Sequence, residues 1–257
     1  MAGLAASAFV LIAALETWRQ RDSPGQNAQR WVTNLALFGL EQILTLACAG
    51  LLAGFAASVA GRSPLAGWTD AWPGWIALVF AVVVLDATTY LSHVLSHHIE
   101  PLWRLHAVHH GDHVLDVTTT VRHHPLEMVP TATALGLCAW LFGLTVAHVT
   151  SYGALAFVVQ SIAHANLRLP RQAMRCVGLV LVTPELHALH HSRQPAETNS
   201  NYGQLLSVWD RMFGTLLYRP RSEPFAVGLD AYASARFGGL LGALTQPFRR
   251  PDATPAD

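Results

Sequence analysis

Three long stretches of this 257-residue chain are almost free of charge, and they restrict what it can fold into. Residues 31–60, "WVTNLALFGLEQILTLACAGLLAGFAASVA", carry one charged side chain, Glu41. Residues 74–94, "GWIALVFAVVVLDATTYLSHV", carry only Asp86, and residues 128–164 carry none. A helix of about 20 apolar residues crosses a bilayer core, and a helix satisfies its own backbone there. The stretch 128–164 is long enough for two tightly turned helices, with a break expected near "AHVTSYG", at Gly153. "GLAASAFVLIAAL" (3–15) is short and has no positive start, so it reads as a retained helix rather than a signal peptide. These segments give five crossings, or two crossings with shallow hairpins. The composition agrees: 12% of residues are charged, against roughly 25% in soluble domains. The expected fold class is all-α, an integral membrane helical bundle.

The remaining apolar pieces are shorter. "CVGLVLV" (176–182) cannot span a membrane, "FGGLLGALTQPF" (237–248) reads as a docking or interfacial segment, and "RRPDATPAD" as a disordered tail. Arg19, Arg21 and Arg30 precede the second helix, Arg62 alone follows it, and ten arginines follow residue 164. By the positive-inside rule, the arginine-rich ends and the histidines between them face the cytoplasm. The net charge is zero, so nothing favours a nucleic-acid partner. Cys48, Cys138 and Cys176 sit singly in apolar surroundings and read as small buried hydrophobes.

All 14 histidines lie between His93 and His191. They group as "HVLSH" (93–97), "HAVHH" (106–110), "RHHP" (122–125), "QSIAH" (160–164) and "HALHH" (187–191). On a helix, positions i, i+3 and i+4 share a face. His106, His109 and His110 therefore converge, as do His187, His190 and His191, and His93 with His97. Asp86, Tyr90, His93 and His97 form one stripe about 60° wide, so the helix over 74–94 emerges from the membrane with two imidazoles on a polar face. Neutral imidazole binds Fe, Zn, Cu and Ni. The three strongest groups supply eight ligands, too many for one ion and suited to two. Asp86, Glu100, Asp112, Asp116 and Glu185 are the acids available to orient those imidazoles. His98 and His113 fall outside the repeated spacings, and His148 falls at the opposite membrane side. The result is a bundle with a cytoplasmic-side, histidine-rich helical cap.

The order and number of these motifs resemble the fatty acid hydroxylase/sterol desaturase superfamily of membrane histidine-box oxygenases. The resemblance runs from about 86 to 215, through "DATTYLSHVLSH", "LWRLHAVHH", "RHHPLE", "HAN", "PELHALHHS", "NYG" and "WDRMFGT". It implies a di-iron centre, O2 as co-substrate, and attack on an unactivated C–H bond of a membrane lipid, giving hydroxylation or desaturation. Carried over, the ligands are His93, His97, His106, His109, His110, His187, His190 and His191, with His164 as a ninth. Gln160 falls where relatives can carry a histidine or glutamine, and His124 matches a recurrent family histidine; both, with Asp86 and Tyr90, are second-shell or ligand candidates. Relatives often carry Arg after the first histidine of the first box; here it is Val94. Asn201 and Gly203 are expected to shape a turn, Trp209 and Phe213 to anchor apolar surface, and Gly214 to end a helix. The implied organisation is N-terminal membrane helices (1–73), a catalytic domain (74–220), and a C-terminal interfacial segment and tail (221–257). The implied setting is an integral membrane protein, in a bacterial inner membrane. No G-x-G-x-x-G is present, so electrons are expected from a separate donor: a ferredoxin, a flavoprotein reductase or a cytochrome. The competing readings are a membrane zinc hydrolase, a metal transporter, a bis-histidine cytochrome and a lipid-binding scaffold. H-E-x-x-H is absent, and most histidines lie beyond the helix ends rather than at mid-membrane depth.

Overall fold

Gly143, not Gly153, divides the long apolar stretch 128–164. Its left-handed backbone (φ 62°) favours glycine, and an added Cβ would meet the Ala66 Cα at 3.1 Å. Thr145 then starts the next helix, accepting from the His148 amide at 3.3 Å while the His148 ring returns a bond to the Thr145 backbone, a reciprocal cap. The polar run "AHVTSYG" is therefore the first turns of a helix, and Gly153 lies inside it.

The computed structural model describes residues 2–18, 28–59, 63–167, 169–219 and 225–252. Arg19, Arg21, Arg62 and the end of the tail, 253–257, lie outside the described residues. The long helices are α1 (Ala2–Trp18), α2 (Ala28–Val59) and α3 (Gly74–His98). Next come α4 (Glu100–His110), α5 (Met128–Phe142) and α6 (Val146–His164). Short helices follow: α7 (Arg171–Val177), α8 (Pro184–His190), α9 (Pro195–Thr198), α10 (Val208–Phe213) and α11 (Gly239–Thr245). No strand occurs among the described residues beyond two isolated bridges.

Four segments are long and apolar enough to cross a membrane: Ala28–Cys48, Gly74–His98, Pro125–Phe142 and Val146–His164. The apolar part of α1 is shorter, Gly3–Trp18. Large apolar side chains such as Leu46, Trp75, Val79 and Leu137 face outward, as a lipid-facing surface requires. Inward, Ala81 and Leu85 of α3 pack against Tyr152, Val159 and Ala163 of α6; small residues let helix backbones approach. An aromatic cluster of Trp68, Trp72, Phe80 and Phe142 closes one end, consistent with an interfacial belt.

All the histidines except His148 occupy the other end. There, Arg30 near the start of α2 bonds Asp112 at 2.7 Å and pairs with Asp116. Glu16 near the end of α1 accepts from the backbone of Val117 and Asn166 at 2.8 and 3.2 Å. The segment 237–248 folds as two 3₁₀ turns around α11, with Leu240 and Leu244 packed on Leu37 and Val108. Leu241 and Phe248 stay exposed, so this segment both docks and presents apolar surface.

Candidate metal centre

α3 and α4 are joined by one extended residue, Ile99. Pro101 fits the first turn of α4, where a missing N–H is harmless. This tight corner turns "HAVHH" back against "HVLSH". The last turn of α6 delivers His164. α8, opened by Pro184, delivers His187 and His190, and its C-cap residue is His191.

The histidines fall into two groups. His93, His97, His106, His110 and His190 bring one ligand nitrogen each within 4.8 Å of one another. His109, His164, His187 and His191 do the same. All nine are buried. The groups meet where His110 stacks on His191 and where His109 adjoins His110.

Hydrogen bonds fix the tautomers. The Nδ1 of His93 lies 2.7 Å from the Tyr202 carbonyl, and that of His190 lies 2.7 Å from the Ser200 carbonyl. His106 Nδ1 bonds a Glu127 carboxylate oxygen at 2.7 Å. His109 and His164 use the carbonyls of Arg122 (3.2 Å) and Gln160 (2.8 Å), and His97 the Asn199 side-chain oxygen at 3.2 Å. The Gln204 amide nitrogen also comes within 2.8 Å of His93 Nδ1, but it is the closer Tyr202 carbonyl that takes the Nδ1 proton. A carbonyl only accepts, so the proton sits on Nδ1 and a bare lone pair remains on Nε2.

Those lone pairs face each other. Nε2 of His93 lies 3.0 Å from that of His106 and 3.1 Å from that of His190. His109 and His164 Nε2 are 3.2 Å apart, and His187 and His164 Nε2 are 2.9 Å apart. Nitrogens each about 2.1 Å from one cation and about 90° apart would be about 3 Å from each other. In addition, His97 Nε2, His110 Nδ1, His187 Nδ1 and both nitrogens of His191 are buried without a hydrogen-bond partner. Each such group costs about 1–3 kcal/mol, so the donor set fits two cations. Burial first, and neighbouring imidazoles second, push His109, His110, His187, His190 and His191 well below the ordinary histidine range. They are neutral, as ligands must be.

Two residues outside the expected ligand set belong here. Glu127 bridges His106 and His123, whose Nδ1 lies 3.2 Å from its second oxygen. His123 stacks on His109 with ring centroids 4.3 Å apart. Burial alone would lower His123, but the Glu127 carboxylate, aided by Glu41, outweighs it and holds the imidazole up to about 9. His106, His123 and Glu127 form a third group of metal-capable atoms. Both residues lie in "RHHPLE", where the family resemblance singled out His124. His124 instead accepts from the Leu126 amide at 3.2 Å and meets the Leu244 carbonyl at 3.2 Å.

Other expected residues lie beside the cluster and not in it. Asp86 accepts from Tyr152 (3.1 Å), the amides of Leu205 (3.1 Å) and Leu206 (3.0 Å), and the Trp209 indole (2.8 Å). Trp209 is thus a polar anchor rather than an apolar one. Tyr90 bonds Thr215 at 2.8 Å and stacks on Phe213, which is 64% exposed. The Gln160 side chain donates to the Gln204 carbonyl, and it is the Gln160 backbone that orients His164. Asp112 and Asp116 hold Arg30, and Glu100 pairs with Arg104 on the surface. His98 and His113 are exposed, and His148 lies in the first turn of α6, remote from the cluster. Asn201 (φ 52°) and Gly214 (φ 72°) take the left-handed backbone expected of a turn and a helix stop.

A sequence model of the fatty acid hydroxylase family matches residues 78–215, which carry every histidine described above. The chain belongs to the fatty acid hydroxylase family. It is 31% identical over 183 residues to an ornithine lipid hydroxylase of Rhizobium tropici, covering 71% of this chain and 54% of that protein. It is 28% identical over 165 residues to an alkylglycerol monooxygenase of Danio rerio, covering 63% and 34%. The Caenorhabditis elegans alkylglycerol monooxygenase is 26% identical over 251 residues, covering 86% and 48%. The chain thus spans about half or less of the length of these relatives. No solved structure matches it.

Proposed function

We infer that this member of the fatty acid hydroxylase family is a membrane lipid hydroxylase that holds two iron ions and consumes O2. The carrying observation is the pair of buried histidine groups whose Nε2 lone pairs converge. His93, His97, His106, His110 and His190 hold one ion, and His109, His164, His187 and His191 the other. When bound, the iron pair supplies O2 activation for attack on an unactivated C–H bond. The names of the relatives, hydroxylase and monooxygenase, favour hydroxylation over desaturation.

The chain's own residues do the rest. Carbonyls of Tyr202, Ser200, Arg122 and Gln160 fix ring orientation, so the ligands are set before any ion arrives. Burial of all nine rings keeps bulk water away. His123, charged at neutral pH, holds a proton against Glu127 Oε2 beside His106. The lipid reaches the site from the bilayer, where its chain already lies. Two electrons come from a separate donor, a ferredoxin, flavoprotein reductase or cytochrome. Arg30 at the histidine end, and the arginines after residue 164, support a cytoplasmic site in a bacterial inner membrane.

The test is a lipid profile of cells with and without the protein, grown in isotopically heavy O2. We expect an extra lipid alcohol carrying heavy oxygen. Unchanged lipids in the presence of a competent donor would contradict the reading, as would incorporation of oxygen from water.

A further inference from the structure

A cavity of about 190 Å³ opens beside the five-histidine group. Its lining includes His93, His106, His123 and Gln204 as well as Glu41 and Thr131. Along α3 the cavity extends from Ser96 to Thr89, roughly 10 Å of helix. Its volume is below the roughly 300–1,000 Å³ of pockets that enclose a drug-sized ligand. It therefore accepts a segment of a lipid and not the whole molecule.

The wall is polar although the helices that build it are apolar. Ser92 gives its hydroxyl proton to the Thr88 carbonyl at 2.8 Å and Ser96 to the Ser92 carbonyl at 2.9 Å, while Thr89 contacts both the Asp86 carbonyl at 3.0 Å and the Tyr152 hydroxyl at 2.5 Å. A hydroxyl has one proton and two lone pairs. Once the proton is committed to the helix, lone pairs are what these side chains have left to offer a ligand. Glu127 adds a carboxylate already engaged by two histidines. Glu41 adds another: it is the one charged residue in 31–60, and no hydrogen bond reaches its carboxylate among the described residues. An ionisable group placed in a membrane helix is costly and marks function.

We propose that this cavity, through the Glu41 carboxylate and the α3 hydroxyls, binds a hydrogen-bond-donating segment of the lipid substrate, an O–H or N–H group. The proposal rests on the hydroxylase reading above. Next to Glu41, these acceptors satisfy a donor and repel ester, ether and phosphate oxygens, while the donor groups that also line the cavity, His123 and the Gln204 amide, lie against Glu127 and His93. A site built to bond an O–H or N–H also rejects an analogue that lacks it far more strongly than an apolar pocket rejects a missing methylene. The cavity thus favours lipids with a donor within about 10 Å of the histidines over plain acyl esters.

The test is equilibrium binding under argon to the iron-loaded full chain in detergent, with hexadecanol, hexadecylamine and hexadecyl methyl ether as probes. The alcohol and amine are expected to bind at least about tenfold tighter than the ether, the worth of one hydrogen bond to a charged group. Glu41→Leu removes that preference and leaves ether binding unchanged. Glu41→Gln, closest in shape, weakens the amine about tenfold and the alcohol less, which also separates an ammonium from a hydroxyl ligand. Equal binding of alcohol, amine and ether overturns the proposal, as does a preference that survives Glu41→Leu. Iron content and lipid hydroxylation are scored separately. A protein that hydroxylates lipid without donor preference loses this subsite and keeps its function. Donor preference without hydroxylation supports the subsite and removes the hydroxylase reading.

Discussion

His110 and His191 lie face to face, ring centroids 4.5 Å apart and 18° from parallel, yet they belong to different histidine groups. They mark the seam between the two proposed ion sites. Each comes from the end of a short helix, and neither is held by a hydrogen bond at Nδ1. Across the seam itself the two rings are held by stacking until an ion arrives. His191→Ala should remove about one iron per chain and abolish lipid hydroxylation, because a four-histidine site is left with three. Metal analysis of the purified variant checks this; unchanged iron would mean that His191 is packing and not a ligand.

Glu127 should matter almost as much as a ligand. It holds His106 in the tautomer whose Nε2 faces His93 and His110. Loss of such a partner typically costs 10–100-fold in metal affinity. Glu127→Ala is expected to fall in that range by competition with a chelator, and Glu127→Gln, which can still accept at one oxygen, to lose less. Equal affinity in Glu127→Ala and the parent would show that the carboxylate does not orient His106.

Asp86 should behave differently. It ties α3 to the loop 205–209 and to α6 through four donors. Asp86→Ala leaves these donors without their acceptor, and a loss of about 3 kcal/mol or more is expected. Thermal unfolding should shift downward while the folded fraction retains its iron. Iron loss at unchanged stability would instead make Asp86 part of the centre.

These contrasts show what could be read from the chain itself. The i, i+3, i+4 spacing placed His106, His109 and His110 on one face because helix geometry leaves no alternative. The stripe Asp86, Tyr90, His93 and His97 is buried together, yet only its histidines enter the cluster. Which buried polar residue serves which partner depends on loops 100 or more residues away. Glu127 and His123 leave no periodic signal in the sequence, because a lone carboxylate near two histidines has none. The helix break falls at Gly143 and not in the polar run "AHVTSYG", because the turn needs one left-handed glycine rather than polarity.

Acid should destabilise the ion-free protein. His109, His110, His187, His190 and His191 are held well below the ordinary value by burial and by one another. Below about pH 6.5 the unfolded chain takes up protons that these five refuse, so stability is full above that value and falls as pH drops. Unfolding midpoints in detergent between about pH 8 and 5 should fall steeply below pH 6.5. A flat profile would mean that the rings are not buried as neutral groups.

The most direct measurement is the iron content of the full chain purified without oxygen and fully reconstituted. Two irons per chain are predicted, one for each histidine group, with both lost when His93 and His164 are replaced together. One iron per chain at saturation, or none, would contradict the two-ion centre.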